Sequence, residues 1–370
     1  MNPTAESTLL LQKRLYSIDG LKICSALLVF AFHSHMHLGV QYGALTTFIS
    51  QGAIVMDLFF LLSGFPLYYA YAGRPLTTGR ELRTFYRKRL ISIYPLYLTV
   101  VLVFLLVWDT YPIWQRLLTL PVELLLLQSW FSGMFSYSHN GGTWFLSCLV
   151  FGYLVFPALK ALLEKASARR LLFYGILTYI LCAISPLVVI ACELPNIYSN
   201  PLLRVLQFFE GMVLAAALSR YAMRWTKPKP LVGVTMAVAS IVATIAAVNE
   251  FVAQGFQVNQ YVPYGFVTLP LFLLLVTGAV WTELGMKPRG SIGKGLNVLK
   301  QFTYPVFMAQ FFVWNPARSV IAAHPAVFAV HGNIKGLLLA AFLCAAATII
   351  LRLLIDIPCQ KLLKKKSLVS

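Results

Sequence analysis

Asp19-Gly20-Leu21-Lys22-Ile23-Cys24-Ser25-Ala26-Leu27-Leu28-Val29-Phe30-Ala31-Phe32-His33 begins the first of a series of apolar runs, and its reading decides the fold. Continued to Val40, it reaches the ~20 residues that a helix needs to cross a ~30 Å hydrocarbon core. Stretches of the same character recur at 51–73, 90–108, 142–160, 170–192, 203–219, 231–249, 262–282, 298–316 and 336–356. Over the whole chain 59% of residues are hydrophobic, 11% are charged and the mean hydropathy is +0.75. A soluble domain carries roughly 25% charged residues, so the class is a polytopic integral membrane protein. The fold class is all-α: a helical bundle of about ten transmembrane helices, forming one domain over residues 1–370 because no loop is long enough for a separate soluble domain. Met1 to Ser17 is short and polar and leads into the first run without a small-residue cleavage site, so that run is expected to stay as a span.

A formal net charge of +18 would suggest a nucleic-acid partner in a soluble chain; here the basic residues fall in clusters between apolar runs, and no nucleic acid is expected. Of the 30 Lys and Arg residues, 26 lie in the segments 13–22, 74–89, 160–170, 220–229, 287–300 and 352–366. These alternate along the chain as the positive-inside rule requires of ten spans with both termini cytoplasmic. Only Arg116, Arg204, Arg318 and Lys335 fall elsewhere. The apolar segment Trp114 to Trp130, counted as a crossing, would put Lys160, Lys165, Arg169 and Arg170 outside. It reads instead as a re-entrant or interfacial helix on the outer side, with Glu123 and Gln128 facing protein or water.

Titratable residues within spans are costly to keep, which makes each a functional hypothesis. With a 1.5 Å rise per residue, His33 sits roughly 20 Å along the first helix, where a neutral imidazole can serve as a general base. It can equally be a packed histidine bonded to a backbone carbonyl. His37 follows one turn later on the same face, and no carboxylate or cysteine completes a metal site, so no metal is expected. Asp57-Leu58-Phe59-Phe60 runs into Ser63-Gly64-Phe65-Pro66, where glycine permits close helix approach and proline frees a carbonyl. Arg83, Arg87, Lys88 and Arg89 lead into the third span. They suit topology and contact with anionic membrane lipid, or a phosphate-rich ligand entering from the cytoplasm. The six cysteines, Cys24, Cys148, Cys182, Cys192, Cys344 and Cys359, have no metal-like spacing and suit packing.

Taken in order, these residues resemble the membrane-bound acyltransferase-3 family. Its first motif, Arg then Asp-Gly-Leu-Arg then a His, is matched by Arg14, Asp19-Gly20-Leu21-Lys22 and His33. A second, Asp before two Phe and Ser-Gly-Phe, is matched by Asp57 to Phe65; a third, Phe-Tyr-Arg-Arg-Arg followed by Pro, by Phe85-Tyr86-Arg87-Lys88-Arg89 and Pro95. Trp144-Phe145-Leu146-Ser147, Arg204 with Phe209-Glu210-Gly211-Met212, Thr303-Tyr304 and Asp356 before Pro358 resemble weaker landmarks. Three positions depart from the pattern. Lys22 replaces an Arg and loses its bidentate fork, Ser92 stands where a second Arg is usual, and Gln310 occupies a place often held by His.

The resemblance implies a bacterial inner-membrane enzyme that takes an acyl group, commonly acetyl, from cytoplasmic acyl-CoA and esterifies an exported acceptor such as a glycan or lipid-linked saccharide. It implies His33 as base or transient acyl carrier, supported by Asp19 and Asp57, with Asp57 paired to Arg14 or to an arginine of the Arg87 to Arg89 run. Arg14, Lys22, Arg87, Lys88 and Arg89 would bind the donor. Ser63, Gly64, Phe65, Trp144, Arg204, Glu210, Tyr304 and Gln310 would line or support the substrate site. A secondary transporter of an anion or sugar also needs about ten helices with buried His, Asp and Arg. The chain shows no paired halves with matching broken helices, which favours the enzyme.

Overall fold

The first apolar run becomes a 23-residue helix, α1 (Tyr16–Leu38). Its first peptide N–H groups have no cap from their own neighbourhood, where Leu15 stands. The carboxylate of Glu283 takes them instead, accepting from Tyr16 N at 2.9 Å and Ser17 N at 2.7 Å. At the other end Gly39 adopts φ +69°, the left-handed stop that glycine takes without strain, and its N–H bonds the His35 carbonyl.

The computed structural model describes residues 15–108, 112–131, 133–134, 141–192, 198–225, 229–255, 264–286 and 290–366; Arg14 lies outside them. We number the helices of ten residues or more. After α1 come α2 (Val55–Tyr71), α3 (Gly79–Val103), α4 (Ile113–Leu124), α5 (Trp144–Glu164), α6 (Ala168–Ala191) and α7 (Pro201–Trp225). Then follow α8 (Pro230–Ala253), α9 (Tyr264–Gly285), α10 (Gly290–Ala309), α11 (Trp314–Ala323), α12 (Gly332–Leu351) and α13 (Ile357–Lys366). No strand occurs among the described residues.

Nine helices among the described residues are long and apolar enough to cross a membrane. They correspond to nine of the ten expected runs. The remaining run, 298–316, is helical up to Ala309 as the later part of α10, but Lys294 and Lys300 dilute the apolar character of that helix, and it tightens to a 3-10 turn at Gln310–Phe312. It nonetheless packs into the bundle against α1 and α12. The third span starts earlier than expected because Thr78 and Glu81 form a reciprocal capping box that carries the basic run into α3.

Two helices make the centre. Along α2 and α7 the backbones touch: a Cβ on Gly64 would clash with the Phe208 carbonyl, and one on Gly211 with the Leu61 carbonyl. Small residues at such crossings let van der Waals packing drive association where lipid removes the hydrophobic driving force between helices. Around this pair α5 and α6 flank α7, α8 pairs with α9, and α1 lies against α10. Outward-facing Leu27, Leu106, Leu172, Val242 and Phe342 are exposed, as lipid-facing side chains would be. Cys148, Cys182 and Cys344 are buried packing residues, whereas Cys24 and Cys192 depart from that expectation and face outward.

The Trp114 to Trp130 segment is α4, 12 residues long and too short to span, followed by a turn at Gln128–Trp130. Ile113, Trp114, Leu117 and Leu118 face outward while Glu123 and Gln128 are buried. Two tyrosines of α3 hold it in place, Tyr97 Oη donating to the Glu123 carbonyl at 2.6 Å and Tyr94 Oη to that of Leu124 at 3.0 Å.

Candidate active site

Helix α1 carries both ends of the site. His33 lies near its C-terminal end, and Asp19 and Lys22 near its basic N-terminal end; His33 is eleven helical steps beyond Lys22, a rise of about 17 Å. His33 Nδ1 donates to Gln310 Oε1 at 2.7 Å, and Gln310 is fully buried on the turn that ends α10. Since a carboxamide oxygen only accepts, this bond puts the proton on Nδ1 and leaves the Nε2 lone pair available. The ring sits among Phe32, Phe311, Trp314 and His37, and His37 itself stacks on Trp314 at 5.3 Å.

His33 opens into a chamber of about 50 Å³ bounded by Gly52, Met56, Gly142, Trp144, Tyr198 and Phe307, among others. Two glycines keep it open to close packing: a Cβ on Gly52 would press on Phe32, and one on Gly142 would overlap the Phe311 ring. Gly142 and Tyr198 belong to connections at the end of the bundle opposite the basic clusters, so the chamber lies under that surface.

A second, larger cavity of about 530 Å³ extends from the chamber toward the basic end. Met56 and Phe307 line both cavities. Its walls carry Asp19 and Lys22 from α1, Ser63 from α2, Arg89 and Ser92 from α3, Tyr153 from α5, and Lys300, Thr303 and Tyr304 from α10. Three cations against one carboxylate leave it positive, even with Asp19 and Lys300 paired at 3.9 Å. Arg89 Nε is buried with no hydrogen-bond partner, and its guanidinium lies 5.9 Å from the rings of Phe85 and Tyr153. Thr303 Oγ1 is likewise buried and unmatched, while Tyr304 Oη donates to the Ile93 carbonyl at 2.7 Å.

Asp57 is not where the motif match puts it. Its partner is Arg204, at 2.5 Å, and not an arginine of the Arg87 to Arg89 run, because α2 places Asp57 against α7, away from the basic end. Arg204 also donates to the Tyr198 carbonyl at 2.7 Å and to Gln207 Oε1 at 2.8 Å. Its guanidinium lies over the rings of Tyr198, Trp144 and Phe60 at 4.6, 5.3 and 5.6 Å. The pair therefore stands behind the chamber and braces two of its aromatic walls.

The structure thus brings His33, Gln310 and Trp144 to the chamber, and Asp19, Lys22, Ser63, Arg89 and Tyr304 to the cavity. Of the basic run only Arg89 lines the cavity; Arg87 is half-buried outside its lining and Lys88 is exposed. Gly64 serves the crossing of α2 and α7, and Phe65 is buried in the core stacked on Tyr69. Glu210 faces away from both cavities, its Oε1 accepting from Thr178 Oγ1 at 2.5 Å. Lys300, Tyr153, Tyr198 and Phe307 were not singled out from sequence. Lys300 had a readable signal, a charge inside an apolar run, whereas the aromatic residues reach the site only through tertiary packing. Among the described residues no group of three His, Cys, Asp or Glu side chains is arranged to hold a metal ion.

The family model described as "Acyltransferase domain" matches residues 15–356. A curated relative, acyltransferase MdmB of Streptomyces mycarofaciens, is 33% identical over 231 residues, an alignment taking in 55% of this chain and 58% of that protein. The chain thus spans less than two thirds of the length of this relative. No solved structure matches it.

Proposed function

The chain belongs to the acyltransferase family whose model matches residues 15–356, and on that premise we propose a multi-pass membrane O-acyltransferase. It moves a short acyl group, acetyl foremost, from cytoplasmic acyl-CoA to a hydroxyl of an exported glycan or lipid-linked saccharide. One observation carries this reading: a positive cavity at the basic end and a histidine chamber under the outer surface meet at Met56 and Phe307.

Lys22, Arg89 and Lys300 receive the phosphates of the coenzyme, which pair with ammonium and guanidinium groups through charge-assisted hydrogen bonds. The thioester then reaches toward Phe307 along the axis of α1, a path that suits an extended pantetheine arm. The small volume of the chamber favours an acetyl group over longer chains. There, His33 Nε2 takes the proton of the acceptor hydroxyl as its oxygen attacks the thioester carbonyl. The carbon–oxygen bond forms, the carbon–sulfur bond breaks, and the imidazolium returns its proton to the departing thiolate. Gln310 holds the ring in the required tautomer throughout. Asp57 and Arg204 support the walls and take no part in proton transfer.

The test is ester formation by the purified protein in vesicles supplied with labelled acetyl-CoA and an acceptor saccharide. His33→Ala should bind the coenzyme normally, by calorimetry, and form no ester. Transfer at near wild-type rate by this variant would refute the role of His33. Glycans from cells with and without the protein, compared by mass spectrometry, identify the hydroxyl that is esterified.

A further inference from the structure

A third cavity, of about 750 Å³, lies between α6, α7 and α9 and shares no lining residue with the two already described. Its extent can be read on each helix. The lining runs from Ala168 to Tyr179 on α6, from Glu210 to Tyr221 on α7 and from Pro270 to Trp281 on α9. Each stretch covers eleven steps, about 16 Å of helix, or roughly half of a ~30 Å hydrocarbon core. α6 runs away from the basic end and α7 and α9 both run toward it, so Ala168, Tyr221 and Trp281 share that end, while Tyr179, Glu210 and Pro270 lie near the middle of their helices. The cavity is one leaflet deep.

Its chemistry changes along that depth. The middle is walled by Leu171, Leu172, Ile176, Val213, Leu218 and Leu273. At the bottom, Tyr179 and Glu210 are already engaged, Tyr179 Oη with the Phe266 carbonyl at 2.9 Å and Glu210 with Thr178. At the mouth stand Tyr221 and Trp281, aromatic types that favour the level of lipid head groups, together with the exposed Arg169. Lys165 and Arg170, both exposed, flank Arg169 in sequence. An apolar hollow of this size does not suit water, and the exposed Leu172 and Ile176 on its wall turn it toward bilayer chains. Basic pockets between helices on the cytoplasmic side recognise anionic head groups.

We infer that this groove takes one acyl chain of an anionic glycerophospholipid from the cytoplasmic leaflet, with the lipid phosphate on Arg169. The occupant is a resident lipid separate from both acyl donor and acceptor, and the groove needs no part of the transfer reaction to hold it.

Native mass spectrometry of the full-length protein, delipidated in detergent and titrated with phosphatidylglycerol or phosphatidylcholine of the same chain length, tests this. Wild type should hold one phosphatidylglycerol with about fivefold preference, the size expected of one arginine at a membrane surface. Arg169→Gln, a surface change that leaves the fold intact, should remove the preference while keeping chain binding. Ala217→Trp, which fills the groove from α7, should lose the bound lipid with acyl transfer and thermal stability retained. Equal binding of the two lipids by wild type, or a preference unaffected by Arg169→Gln, overturns the proposal. So does displacement of the bound lipid by millimolar inorganic phosphate, or by an isoprenoid diphosphate at equimolar concentration, which would mark a phosphate site or an acceptor site instead.

Discussion

Replacing Arg89 with Ala should weaken acetyl-CoA binding severely, whereas the same change at its neighbour Lys88 should not. The two are adjacent in one basic run, and a role confined to membrane topology would treat them alike. Their surroundings differ: Arg89 lines the 530 Å³ cavity with Nε buried and without a partner, whereas Lys88 is exposed outside it. A hydrogen bond from a charged donor contributes about 1.5–3 kcal/mol, so loss of one guanidinium contact to a phosphate should raise the Kd roughly 10- to 150-fold. Lys22 and Lys300 remain in the variant, which should therefore still bind, but weakly. Arg89→Lys keeps the charge, loses the planar fork and should recover part of the deficit. Isothermal titration of the purified protein with acetyl-CoA reads all three variants directly. Equal losses for Arg89→Ala and Lys88→Ala, or no loss for either, would refute the assignment of this cavity to the coenzyme.

Other outcomes follow from the packing. Gly64→Ala drives a methyl group into the Phe208 carbonyl and should destabilise the bundle by about 1–3 kcal/mol, read as a lower midpoint in thermal unfolding. Arg204→Met strands the buried Asp57 carboxylate and should cost about 3–5 kcal/mol; the double change Asp57→Leu, Arg204→Met should recover much of this, and unequal or additive losses in the cycle would argue against the pairing. In a background lacking the six native thiols, a cysteine at Thr78 should react with an impermeant reagent only after lysis and one at Gln41 before it, with the reverse pattern inverting the topology.

Much of the bundle was legible because a lipid environment leaves little choice: each span must be apolar for ~20 residues and satisfy its own backbone. The reading weakened where function intrudes on that rule. Residues 298–316 read as one more crossing and are helical up to Ala309, where the polar residues that help form the site, Lys300 and Gln310, lower the apolar character and tighten the helix. His33 could be singled out because a titratable ring deep in a span has few ordinary reasons to be there. Its partner could not be assigned, since Gln310 lies 277 residues away and meets it only when α10 packs on α1. The Asp57 motif was visible but its meaning was not: an acid beside aromatic residues fits catalysis and bracing equally until Arg204 is seen against it. For the same reason Gly64 and Gly211 read as motif members, and only the backbone contact between α2 and α7 explains them.

Glu283 links the first helix to the order in which the chain is made. Synthesis proceeds from the N-terminus, so α1 enters the membrane long before α9 exists, and for that interval the leading amides of α1 lack their carboxylate. Asp19 sits on the turn that this carboxylate anchors and Lys22 on the next, while the ring of Tyr16 packs on Gly293 of α10. A chain that stopped before residue 283 would hold α1 in the membrane with these amides unmatched, and would lack Lys300, Phe307 and Gln310 as well.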